Sequence, residues 1–198
     1  MFSLRAIALA ITTTFALLLP AGAHAQQTGG AIYEEPAPPP PEAVDMTVPG
    51  SVAKLLPDGT AAAPADAPPE VQQAIWAANR IQDKPYRYGG GHAKIEDKGY
   101  DCSGTVSYAL HHAGLLETPL DSGSFMRWGA RGKGEWITIY TNPGHAYAVI
   151  AGLRLDTSMA TISRADRRRH KKATEKGPRW RPTPRSSRGY TKRHPVGF

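Results

Sequence analysis

The sequence predicts an α+β protein, on three observations. Helical periodicity of apolar residues is confined to 69–82 and about 103–113, both early in the folded part. Strand-like alternation appears only later, from 135 onward. The late strands follow one another through turns, which points to an antiparallel sheet built from hairpins.

The first 25 residues read as an export signal. "MFSLR" gives a short charged start, "AIALAITTTFALLLP" an apolar run, and "AHA" the small-x-small end that predicts cleavage after Ala25. A membrane anchor is the competing reading, but the run falls short of the roughly 20 residues that span a bilayer. No cysteine follows the run to take a lipid, and no later segment is apolar enough to span. The expected location is outside the cytoplasmic membrane, in the periplasm or the extracellular wall. Residues 26–68 hold "EEPAPPPPEA" and "TAAAPADAPPE", rich in proline, alanine and acids with no hydrophobic period. They read as a disordered or polyproline-like spacer.

The folded domain is expected over 69–198. Proline and Glu70 open its first helix, where Val71, Ile75, Ala78 and Ile81 share a face. "PYRYGGGHAKIEDKG" reads as a loop. Val106, Ala109, Leu110 and Ala113 then make the apolar face of a second helix, with Gly114 as its left-handed stop. "SGSFMRWGARGKG" is a further glycine-rich loop. "EWITIYT" and "HAYAVIAGLRLDTS" are strand-like, the latter with a turn near Gly152. Trp180, Tyr190 and Phe198 predict that the chain end packs back onto the domain.

The formal net charge of +7 is unevenly spread. From Arg164 onward there are 13 Lys or Arg against 2 Asp or Glu, a surplus of 11 that leaves the preceding residues at −4. The basic run 163–177 reads as a solvated loop, serving solubility or attraction to anionic cell-wall polymers. Export argues against nucleic acid as the partner.

Cys102 is the only cysteine. Exported domains tend to use cysteines in pairs, so a lone one suggests a reactive thiol or an intermolecular bridge, the alternative being a buried small hydrophobe. It falls at the first turn of the second helix, where orphan N–H groups and the helix dipole favour a thiolate. A nucleophilic thiol needs a base and the base an orienting partner. His24 leaves with the signal, His111 and His112 lie more than two turns along the same helix, and His170 and His194 belong to the basic tail. His92 either lines the cleft or steadies its own loop. His145 opens the strand after "NPG", and a hairpin turning near Gly152 returns Asp156 to its side. That carboxylate can hold the imidazole in its working tautomer.

"PYRYGGG", "YDCSGTVSYAL" and "GHAYAVIAG", in that order and spacing, resemble the NlpC-type cell-wall peptidases, a papain-like family of cysteine peptidases. The resemblance runs from about Ala74 to Asp156, and more weakly to the end of the chain. It implies a papain-like fold with the nucleophile-bearing helix packed on an antiparallel sheet, Cys102 as nucleophile and His145 as base. Asp156 matches the orienting position, where the family more commonly carries His, Asn or Gln. Tyr86 matches a tyrosine beside the nucleophile, and Asp101 and Ser103 match residues that bind the free amino end of the substrate. From the residues alone, Asp101 is also a helix cap and Tyr86 also a core residue. The implied substrate is the peptidoglycan stem peptide, usually cut between γ-D-glutamyl and a diamino acid, with no cofactor or metal. Two other readings use the same residues: a catalytically silent wall-binding module, and an acyl or amide transferase in which an amine captures the thioester.

Overall fold

The computed structural model describes residues 46–158, 165, 168, 176–182 and 184–198. The expected export signal, the spacer up to residue 45 and most of the basic run lie outside the described residues. The described residues fall within one compact unit, Pro39–Phe198. The architecture is mixed α+β, with three helices and two sheets among the described residues.

Helix α1, Pro69–Arg80, starts with proline in its first turn, where the missing N–H costs nothing. Glu70 and Arg80 complement the two ends of its dipole. Val71, Ala74, Ile75 and Ala78 are fully buried on one face, and α1 packs against α2, Cys102–His112. α2 in turn lies on the central sheet through strand β6, His145–Ile150.

That sheet has six strands, all paired antiparallel. β5, Ile137–Asn142, joins β6 through Pro143 and Gly144, with Asn142 opposite His145. β6 joins β7, Leu153–Leu155, through Ala151 and Gly152, whose φ values of 45° and 83° are both positive. Two successive positive φ values match the twist of a two-residue hairpin, which accounts for the glycine. β8, Trp180–Arg181, extends the sheet beyond β7, and β9, Thr191–His194, sits between β5 and the short β4, Ala130–Arg131. The chain end therefore supplies two strands, and Trp180 is buried in the core. The expected loop at "SGSFMRWGARGKG" contains β4 and one helical turn, α3, Ser122–Phe125, capped by Asp121 accepting from Ser124 N at 2.8 Å.

The expected spacer, 26–68, needs correction at its C-terminal end. Residues 46–64 form a three-stranded sheet in which β3, Ala61–Pro64, lies between β1, Thr47–Val48, and β2, Lys54–Leu55. Ala61, Ala62 and Ala63 have no exposed surface. Their small side chains let the strand approach α1 closely. The Asn79 amide substitutes for a neighbouring strand, accepting from Ala61 N at 2.8 Å and donating to Ala61 O at 2.9 Å. Composition without periodicity concealed a buried strand whose first residue bonds a side chain 18 residues away.

Candidate active site

The loop 85–100 is pulled tight against the start of α2. Tyr86 and Tyr100 form an isolated bridge, Arg87 N donates to Tyr100 O at 3.1 Å, and Tyr100 N donates to Pro85 O at 3.1 Å. A side chain at Gly104 would meet Gly90 O at 2.0 Å, so glycine at 104 is what lets this loop lie on the first turn of the helix.

Asp101 caps α2, accepting from Gly104 N at 2.7 Å, and takes Gly89 N at 3.0 Å on its other oxygen. His92 Nε2 and the Ser103 hydroxyl complete its shell at 3.0 and 3.2 Å. Burial raises the Asp101 pKa, but the bonds from His92, Gly104 and Gly89 outweigh it and hold the carboxyl below its ordinary range. The bond to Asp101 raises His92 against its own partial burial, helped by the charge of Asp121.

Cys102 is half-buried at the first helical position. Burial pushes its thiol up, while hydrogen bonds from the His145 imidazole and the Ala146 N–H pull it down, and the net shift is downward. His145 Nε2 is 2.9 Å from Asp156 Oδ1, leaving Nδ1 available for proton exchange with the sulfur. Burial lowers the His145 pKa, but the bonds to Asp156 and Cys102 more than reverse this and lift it to about 9. A lowered thiol beside a raised imidazole is the electrostatic signature of a thiolate–imidazolium pair.

Asp156 follows β7, and its side chain is wholly buried. Ser158 N donates to Oδ1 at 2.8 Å, Arg185 Nη1 donates to Oδ2 at 3.0 Å, and Arg154 Nε stands 3.8 Å from Oδ2. Burial pushes its pKa up, and His145, Ser158 and Arg154 bring it below the ordinary value, so the group is a carboxylate near neutral pH.

A cleft of about 490 Å³ opens over the sulfur, lined by Tyr86, Tyr88, His92, Asp101, Asp121 and Gly144 among others. The structure thus brings together all six residues expected at the site. Tyr86 is 44% exposed at the cleft, so it is not a core residue. Ser103 is buried against Asp101. His111 and His112 bond away from the cleft, to the carbonyls of Leu116 and Glu117 and to Glu96. His92 both lines the cleft and steadies its loop, through bonds to Asp101 and Ser103, so both readings open for it hold. Arg154 and Arg185 were missed. Arg185 lies 29 residues beyond Asp156, within the charge surplus, and no spacing pattern marks it.

No cluster of three or more His, Cys, Asp or Glu suited to a metal ion occurs among the described residues. No helix among them is long and apolar enough to cross a membrane. Compared with protein families and with curated proteins, the chain matches no family model and no curated protein.

Chemically, the arrangement supplies a nucleophile, a base oriented by a buried carboxylate, and N–H groups at a helix start where an oxyanion can sit.

Proposed function

We propose that the protein is an exported, papain-like cysteine endopeptidase that hydrolyses amide bonds in peptidoglycan stem peptides. One observation carries the reading: a helix-start thiol, lowered in pKa, faces an imidazole whose far nitrogen is 2.9 Å from a fully buried aspartate. Structural cysteines have no use for such an arrangement, whereas acyl transfer through a thioester needs each part of it.

In this reading the Cys102 thiolate attacks the amide carbonyl, forming the C–S bond and moving the π electrons onto oxygen. Backbone N–H groups at the helix start, that of Cys102 among them, stabilise the oxyanion. His145 gives its proton to the leaving amine as the C–N bond breaks, which leaves a thioester and a neutral imidazole. The imidazole then takes a proton from water, hydroxide adds to the thioester, and collapse returns the thiolate–imidazolium pair with a free acid as product.

The substrate class comes from the resemblance to the NlpC-type peptidases, and the cleft is compatible with it. Asp101 and Asp121 line the cleft beside His92, and their carboxylates suit a cationic amino group, as the free end of a stem peptide presents. Export to the periplasm or wall brings enzyme and substrate together, and the basic run 163–177 would add attraction to anionic wall polymers.

The test is digestion of purified peptidoglycan with the wild-type protein and with Cys102→Ala, reading fragments by mass spectrometry. Fragments with new free carboxyls from the wild type alone support the proposal. Identical fragments from both, none from either, or new cross-links in place of fragments defeat it.

A further inference from the structure

The segment after Pro184 carries a residue whose contacts converge on the base and its partner. Arg185 Nη1 donates to Asp156 Oδ2 at 3.0 Å, while His145 Nε2 holds the other oxygen, Oδ1, at 2.9 Å. The same Nη1 is 3.3 Å from His145 Nε2, a contact between two N–H groups that only a shared carboxylate makes tolerable. The guanidinium also lies over the rings of Tyr147 and Tyr190, at 5.5 and 5.4 Å from their centroids. Those two rings meet edge to face at 5.2 Å and stand 6.3 and 6.4 Å from the imidazole. With a side chain only 20% exposed, Arg185 is held by an ion pair and two cation–π contacts at once.

We propose that Arg185 is a positioning residue of the Cys102–His145–Asp156 site, dividing the Asp156 carboxylate so that one oxygen is fixed and the other is presented to His145. The claim about turnover rests on the peptidase reading, and the claim about the ion pair does not. With Ser158 N on Oδ1 and Arg154 Nε no nearer than 3.8 Å to Oδ2, a carboxylate without Arg185 is fixed less firmly, and its full charge bears on the ring proton. A general acid works best when its pKa lies near the operating pH, so the proton must remain transferable. By taking Oδ2, Arg185 fixes the carboxylate plane and offsets part of its charge. The field at His145 comes from Cys102 on α2 with Asp101 beside it, from Tyr147 on β6, from Arg154 and Asp156 at the end of β7, and from Arg185 and Tyr190 on the C-terminal segment. Among these, Arg185 is a cation that contacts both members of the His–Asp pair.

The alternative is a prop, with Arg185 merely filling space against the tyrosines. Full-length wild type, Arg185→Gln and Arg185→Lys separate the two through titrations that need no substrate. One is the pH dependence of Cys102 alkylation by iodoacetamide, and the other is the His145 ring titration by NMR. The proposal requires that Gln move both titrations upward by about 1 pH unit, because a neighbouring cation has been removed. Lys should stay close to the wild type. On peptidoglycan, Gln should lower kcat roughly 10-fold with little change in KM, and Lys should recover part of the loss. Wild-type titrations in Gln, or a shift in Lys as large as in Gln, overturn the proposal. If Gln unfolds by circular dichroism, Arg185→Met, which keeps the stem over Tyr147, takes its place under the same criteria. Shifted titrations in a protein inert on peptidoglycan would instead sink the peptidase reading and leave the positioning role standing.

Discussion

His92 Nε2 lies 3.0 Å from one oxygen of Asp101 and 3.1 Å from the other, so one imidazole spans the carboxylate that caps the helix carrying Cys102. Both groups shift in the direction that strengthens the pair. The Asp101 pKa is lowered, so its stabilisation is present above the unfolded value of about 4 and is lost as pH falls further. The His92 pKa is raised, so its stabilisation is present below the unfolded value of about 6.5 and is lost as pH rises through the folded one. Asp101→Asn should therefore keep the cap, because Asn and Asp cap equally well, and lose the charge pair with His92, at a cost of about 1 kcal/mol. The difference in Tm from the wild type should be largest between about pH 4 and 6.5. A Tm difference flat across pH would show that the imidazole contributes nothing to the cap.

The Cys102 pKa is lowered and the His145 pKa raised to about 9, so the ion pair exists between these two titrations. Hydrolysis should rise on the acid side as Cys102 ionises and fall with a midpoint near pH 9 as His145 loses its proton. Alkylation of Cys102 should have its midpoint below that of an ordinary thiol, because the bonds from His145 and Ala146 outweigh burial. In His145→Gln the imidazole no longer opposes burial, and the alkylation midpoint should rise to the ordinary thiol range or above it. An unchanged midpoint would mean that the helix start alone activates the sulfur.

Asp156→Asn removes the charge but keeps the shape. The imidazolium loses its counter-charge, and the amide can offer its NH₂ where a carboxylate oxygen stood. The change should reduce kcat by roughly 10²–10⁴-fold, with a smaller effect on KM. The His145 titration should also fall from about 9 toward its ordinary value. The same substitution leaves Arg154, which is buried, and Arg185 facing a neutral group, so about 3 kcal/mol of stability should be lost in urea unfolding. A variant as stable as the wild type would show that the arginines are held by other partners.

What the sequence made legible and what it hid divide along a physical line. Cys102, His145 and Asp156 could be assembled because a capped helix start and one hairpin bring them together, and both are local structures with local signals. The hairpin turn at Ala151 and Gly152 falls where the glycine placed it. Arg185 and β3 were not legible for the opposite reason. The contact of Arg185 with Asp156 spans 29 residues, and the strand at Ala61 is held by an amide 18 residues on. Neither has a periodicity, and a proline- and alanine-rich composition favours reading a spacer where small side chains permit close packing. The exposure of Tyr86 was equally undecidable, since a tyrosine before a glycine run suits a cleft wall as well as a core.

Asn79 connects the N-terminal sheet to the chain end. Its Oδ1 accepts from Ala61 N at 2.8 Å and from Trp180 Nε1 at 2.8 Å, and its Nδ2 donates to Ala61 O at 2.9 Å. All of these groups are buried, so Asn79→Ala leaves two donors and one acceptor without their protein partner. Each unsatisfied buried group costs about 1–3 kcal/mol, and partial relaxation brings the expected loss to about 3 kcal/mol. Asn79→Asp restores the acceptor for both N–H groups but sets a carboxylate oxygen against Ala61 O, so it should be no better than alanine at neutral pH. It should recover as the carboxyl protonates, because the acid can then donate to that oxygen. Residues 46–64 should become susceptible to limited proteolysis in Asn79→Ala before the core around α2 does, as this side chain ties the start of β3, at Ala61, to α1. Simultaneous cleavage throughout the domain would show that the N-terminal sheet and the core unfold together.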